Sequence, residues 1–115
     1  MSDPDPRALA LSIFLREQAT GFGLSADVND SPQIAEAGMA LLAAADLAAR
    51  LYSREPLLVE MSERGMFESM PDRGARVVPT EAVKRFIRRG VLEGPRDPEA
   101  ILQGMLDALP PGPRG

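Results

Sequence analysis

The sequence predicts an all-α fold, a compact bundle of about five helices, with one short extended segment near Ala75-Pro79 as the allowed exception. Four of the expected helix starts combine an Asp, Ser or Thr with an adjacent proline, which supplies a side-chain cap and a pre-set φ for the first turn. Apolar residues recur three and four positions apart along most of the chain, the period of a helix with one buried face. At 115 residues the chain has the commonest size of a single core, so residues 1–109 read as one domain and 110–115 as a disordered tail.

Asp3 and Pro4 announce the first helix, with further acid at Asp5 facing the positive end of its dipole. Leu11, Phe14 and Leu15, with Ala8 and Ala19, share one face, and Arg16 and Glu17 point to water. Gly21 should stop this helix near Thr20, leaving 21–30 as a loop anchored by Phe22, Leu24 and Val28. Ser31-Pro32 restarts a helix that runs to about Tyr52, the central element. Ile34, Leu41, Leu42, Leu47 and Leu51 are spread around its circumference, which asks for cover on several sides, and Ala37, Gly38, Ala44, Ala45 and Ala48 let neighbouring backbones approach.

Residues 57–64 form a short third helix closed by Gly65, with a strand as the alternative because the apolar run is short. Residues 66–78 are the least regular part and contain a Pro71-Asp72-Arg73-Gly74 turn. Thr80 caps a fourth helix ending at Gly90, and Asp97-Pro98 starts the last one, which carries Ile101, Leu102, Met105, Leu106 and Leu109 inward.

The chain has no cysteine and no histidine, which removes disulfides, thiolate and imidazole metal ligands, and the usual Ser-His and Cys-His pairs. Walker, dinucleotide and calcium-loop motifs are missing too. The expectation is therefore a non-enzymatic protein without cofactor or metal. Its first residues lack the basic start and long apolar stretch of a secretory signal, so a cytoplasmic address is expected and a membrane is not. Twelve arginines against one lysine fit a GC-rich bacterial genome, which lowers the weight of arginine enrichment by itself.

Charge is nevertheless uneven. Residues 73–96 hold seven basic and two acidic side chains, a local charge of +5 within a chain of net charge −4. Lys84, Arg85, Arg88 and Arg89 stand on one side of the fourth helix with Val83, Phe86 and Ile87 on the other, and Glu81 is placed to pair with Arg85. Such a face is either a solvated helix surface or a site for an anionic ligand or nucleic acid. Groove recognition is disfavoured, because a helix-turn-helix needs a turn of three or four residues and about fifteen precede this helix.

Met61, Met66, Phe67 and Met70 form a second candidate, either core filling or an adaptable partner surface. Asp30-Ser31 at the head of a helix resembles, in those two residues and the helix order, the phosphopantetheine attachment site of acyl carrier proteins. It departs from that site in Pro32 and in the alanine-rich helix that follows. A plain N-cap accounts for Ser31. Asp46 is placed to pair with Arg50, and would become a candidate site only if buried without a basic partner.

These features together favour a small interaction or regulatory protein that pairs with itself, or with another protein, through an apolar seam on the central helix or the Met61–Met70 region. A regulator that binds an anion through the arginines is the first alternative, and a carboxylate-dependent enzyme or accessory subunit the second.

Overall fold

The computed structural model of the chain describes residues 3–72 and 74–112. Among them the five expected helices are present, joined by one antiparallel hairpin. The order is α1 (Pro6–Asn29), α2 (Pro32–Ala48), α3 (Pro56–Glu63), β1 (Phe67–Met70), β2 (Gly74–Val77), α4 (81–93) and α5 (Pro98–Ala108). The molecule measures 41 × 34 × 25 Å.

α1 starts at Pro6 with Asp5 as its cap, two residues later than the start expected at Asp3. From this position the Asp5 carboxylate accepts three hydrogen bonds, from the Arg7 backbone N–H at 2.8 Å, the Arg7 Nε at 3.0 Å and the Arg7 Nη2 at 3.2 Å. The Arg7 guanidinium beside it holds the Asp5 carboxyl below its ordinary range.

The helix then runs straight through Gly21 and Gly23, where the sequence predicts a stop and a loop. It ends at Asp30, which adopts the left-handed conformation at φ 51° and donates its N–H to the Ala26 carbonyl. The physical reason is tertiary. Each glycine costs a helix interior about 1 kcal/mol, but α2 lies alongside and covers this stretch: a Cβ on Gly38 would sit 3.2 Å from the Phe22 Cβ and 3.3 Å from the Ala19 carbonyl. Phe22 is consequently a half-buried helical residue, and Leu24 and Val28 are exposed instead of anchoring a loop.

α2 opens on Ser31, whose hydroxyl accepts the Ile34 N–H at 3.3 Å, and closes at Ala48, short of Tyr52. Its small residues do let neighbours approach, since Ala37, Gly38, Ala44, Ala45 and Ala48 are all buried. α1, α4 and α5 cover it on several sides, and one strip is left open. Leu41 is fully buried, but Leu42 is exposed on the far side of the same helix together with Met39.

α3 is helical, which disposes of the strand alternative. Gly65, at φ 82°, turns the chain back so that the Met66 N–H bonds the Met61 carbonyl and β1 can begin. The extended region is larger than the segment expected near 75–79: β1 and β2 pair antiparallel with Phe67 opposite Val77 and Met70 opposite Gly74. Residue 73, part of the expected turn, lies outside the described residues. β2 rests on α1 and buries Val77.

In α4 the α-helical start Glu81–Arg85 passes into a π-helical turn, Phe86–Gly90, and a last α-turn, Val91–Glu93. Gly90 is thus not the stop. It is half of a socket: a Cβ on Gly90 would lie within 3.0 Å of two ring carbons of Phe86, and one on Gly104 of α5 within 3.0 Å of three. The ring is wedged between α4 and α5 where only hydrogens face it, and the widened turn goes with this wedge. Arg96 finishes the helix by donating to the Val91 and Leu92 carbonyls, with Gln33 of α2 adding a bond to Leu92 at 3.2 Å.

α5 starts on the Asp97 cap, as expected, and buries Ile101, Leu102, Met105 and Leu106 against α2. Arg64 of α3 reaches its last turn by donating to the Leu106 carbonyl at 3.3 Å. The end of the expected tail, 113–115, lies outside the described residues.

Candidate interaction surfaces

Of the four residues in the methionine cluster, Met61 and Met66 are fully buried and belong to the core. Phe67 and Met70 on β1 are half-buried. As a surface the cluster is therefore reduced to two partly covered side chains. Scarcity of aromatic residues explains the assignment, because flexible methionines fill the gaps between alanine-rich helices.

Of the described basic residues in 73–96, the structure commits three to local partners. Arg76 pairs across the hairpin with Glu68 at 2.5 Å, Lys84 pairs with Glu81 at 3.4 Å, and Arg96 caps α4. Glu81 thus takes Lys84 and not the Arg85 expected from spacing. Arg88 makes one long bond, Nε to the Lys84 carbonyl at 3.4 Å. Among the described residues Arg85 and Arg89 have no hydrogen-bond or ion-pair partner. With Arg88 and Glu81 they line a shallow depression of about 440 Å³ on the exposed side of α4, while Val83 and Ile87 are buried on the other.

Asp46 is exposed and bridges to Arg16 of α1 at 2.8 Å, across the hairpin and not along its own helix to Arg50. It does not meet the condition of a buried acid without a basic partner. Ser31 is occupied as the cap of α2. Among the described residues no group of three or more acids is gathered closely enough to hold a metal ion, no buried side-chain polar atom lacks a partner, and no helix is long and apolar enough to cross a membrane.

The most unusual surface is one the residue patterns indicated only in part. Val28 is 85% exposed, Met39 73%, Leu24 65% and Ile13 58%, with Leu42 at 44%. Ile13 borders a depression against β2, whereas Leu24, Met39 and Leu42 stand beside α1 and α2, away from the buried Leu11, Leu15 and Leu41. Between the helices runs a groove of about 700 Å³ whose lining includes the small residues Ala19, Gly23, Ala35 and Gly38 and the large ones Leu24, Met39 and Leu42. The Arg16–Asp46 ion pair stands towards one end of it. Scattered exposed apolar residues are ordinary, and of these five, Leu24, Met39 and Leu42 border one groove.

An apolar seam on the central helix was part of the sequence expectation, and Met39 and Leu42 are the exposed large apolar residues of that helix. The α1 contribution was hidden by the expected break at Gly21, which separates Ile13 from Leu24 and Val28. Read as one helix from 6 to 29, those three fall on one side, opposite Leu11 and Leu15.

Compared with protein-family models, with curated proteins and with solved structures, the chain matches none.

Proposed function

We propose that this chain is a small non-enzymatic interaction module that pairs with a second copy of itself through the outer face of α1 and α2. One observation supports the reading above all others: large apolar side chains of two adjacent helices are held in water around a groove floored by alanine and glycine. Ridges of large side chains beside a groove of small ones form a surface that can receive its own copy, as helix pairs do in ridge-into-groove packing.

The test is solution mass by light scattering at low and high salt, for the native chain and for Leu24→Glu with Met39→Glu. A dimer at both salts that becomes a folded monomer in the double variant supports the module. A native chain that stays monomeric at high protein concentration removes it.

The three arginines on α4 favour a second reading, a regulator that binds an anion, because two of them have no partner among the described residues. Salt-sensitive retention of a polyphosphate probe, abolished by Arg88→Glu with Arg89→Glu, would support that reading. Retention by the double variant would end it.

A further inference from the structure

We infer that the outer edge of β2 is the docking place for an extended strand of another protein, one that carries an apolar side chain with a basic one two positions away. This edge lies on the side of α1 turned towards the hairpin, and its use does not depend on the self-association proposed above.

The hydrogen-bond phase of the hairpin leaves the edge free. The Val78 N–H donates to the Met66 carbonyl at 2.6 Å, one step beyond the facing pair Phe67 and Val77. Antiparallel pairs alternate between bonded and non-bonded, so the ladder bonds fall on 66/78, 68/76 and 70/74. The N–H and C=O groups of Ala75 and Val77 therefore point away from β1, and among the described residues none of them has a hydrogen-bond partner. Such a row of backbone donors and acceptors is a template for one more strand.

A second wall stands opposite that edge. Consecutive residues 75–79 line a groove of about 530 Å³ together with α1. Neighbours in a strand point to opposite faces, so a groove that touches all of them runs along the edge and not over one face. Across from it stand Ile13, Phe14 and Glu17, in a stripe at helical spacing that starts at Ala10 and ends at Gln18. The walls match in length, because eight steps of helix rise about 12 Å and four steps of strand about 13 Å. An extended backbone fits that length and can bond the edge, whereas a helix has already used its backbone groups.

The lining states what the strand should carry. Ile13 is exposed and Phe14 half-buried, so the inward side chain beside them is apolar. Four residues further along α1, about 6 Å away, Glu17 is exposed and has no ion-pair partner among the described residues. Arg76, the basic residue of the groove, is taken by Glu68 across the hairpin. The next inward side chain of an added strand comes two positions on, about 7 Å away, and beside Glu17 that position suits Lys or Arg.

A blocked peptide, Thr-Lys-Thr-Val-Thr-Lys-Thr, has this spacing in both chain directions and serves as the probe. It is titrated into the full chain while backbone amide shifts are followed by NMR. Saturable shifts at Ala75, Val77 and residues 13–17 are expected, with slowed hydrogen exchange of the Ala75 amide. Ala75→Pro removes an outward N–H without removing a ladder bond to β1, and should weaken binding about tenfold or more. The same peptide N-methylated at every amide tests the pairing on the native chain and should not bind. Glu17→Lys should transfer the preference to Thr-Glu-Thr-Val-Thr-Glu-Thr. The docking site is overturned by the lack of any saturable shift at about 1 mM peptide. Equal binding of the N-methylated peptide overturns strand addition, and a preference for the lysine peptide that survives Glu17→Lys overturns the basic specificity.

Discussion

The two halves of the chain spend their large apolar side chains differently. From α3 onward, Leu58, Met61, Met66, Ile87 and Met105 are fully buried, and α3, α4 and α5 each show one buried side and one wet one. In the α1–α2 hairpin, Leu11, Leu15 and Leu41 are equally buried, but Ile13, Leu24, Val28 and Met39 stand on the opposite side in water. A helix that is apolar on both sides makes two contacts. α1 packs on α2 and β2, and α2 on α1, α4 and α5, yet Ile13, Leu24, Val28 and Met39 remain in water, and the self-association proposed above rests on that difference.

Two methionines put that contrast to its strongest test. Met61→Ala removes a fully buried side chain from a closed core and should cost about 2–5 kcal/mol, read as a lowered urea midpoint. Met39→Ala trims a side chain that is mostly in solvent and should change the stability of the dilute chain by no more than about 0.5 kcal/mol. It should at the same time weaken self-association in light scattering. Similar losses of folding stability in the two variants would erase the distinction between the halves.

Glycines carry the next contrast. Gly104→Ala drives a methyl into the Phe86 ring, and overpacking of that kind costs about 1–3 kcal/mol, partly offset by the roughly 1 kcal/mol that alanine gains over glycine in a helix. The net expectation is a loss of up to about 2 kcal/mol. At Gly21 nothing lies within 4 Å of an added Cβ, so Gly21→Ala should raise stability by about 0.5–1 kcal/mol. Thermal unfolding of the two variants should shift in opposite directions, and shifts of the same sign would refute the socket.

Those glycines also explain how much of the fold was legible in the sequence. Caps are local chemistry, so Ser31, Thr80 and Asp97 could be read from their neighbours, and each side chain accepts the expected backbone N–H. Whether a helix stops at a glycine is decided by what packs on it. Gly21 faces water but lies between Ala19, Phe22 and Gly23, which α2 covers, and Gly90 is held by a ring wedged against Gly104, fourteen positions further on. Three-and-four spacing made the arginine face visible because it lies within one helix. The apolar face needed the full length of α1, and a misplaced stop at Gly21 was enough to conceal half of it. The hairpin announced only Val77 and Val78, since β1, with Glu68 and Ser69 exposed, has no apolar alternation to show.

The smallest effect belongs to the start of α1, where the hairpin is fastened by a charged cap in place of the neutral hydroxyl that starts α2. Hydrogen bonding from the Arg7 guanidinium, partly opposed by burial, lowers the Asp5 carboxyl below its ordinary value. A carboxyl depressed in the folded state stabilises the fold above its unfolded pKa of about 3.9, and that contribution disappears as the pH falls through the lower folded value. Asp5→Asn keeps an acceptor able to cap the helix but removes the charge. At neutral pH the native chain should therefore be the more stable by up to about 1 kcal/mol, the scale of a partly exposed ion pair. Thermal midpoints of the two chains should approach one another on acidification. Parallel curves down to the acid limit would show that Arg7 contributes nothing to holding α1 in place, and would leave its stability to the α2 contact alone.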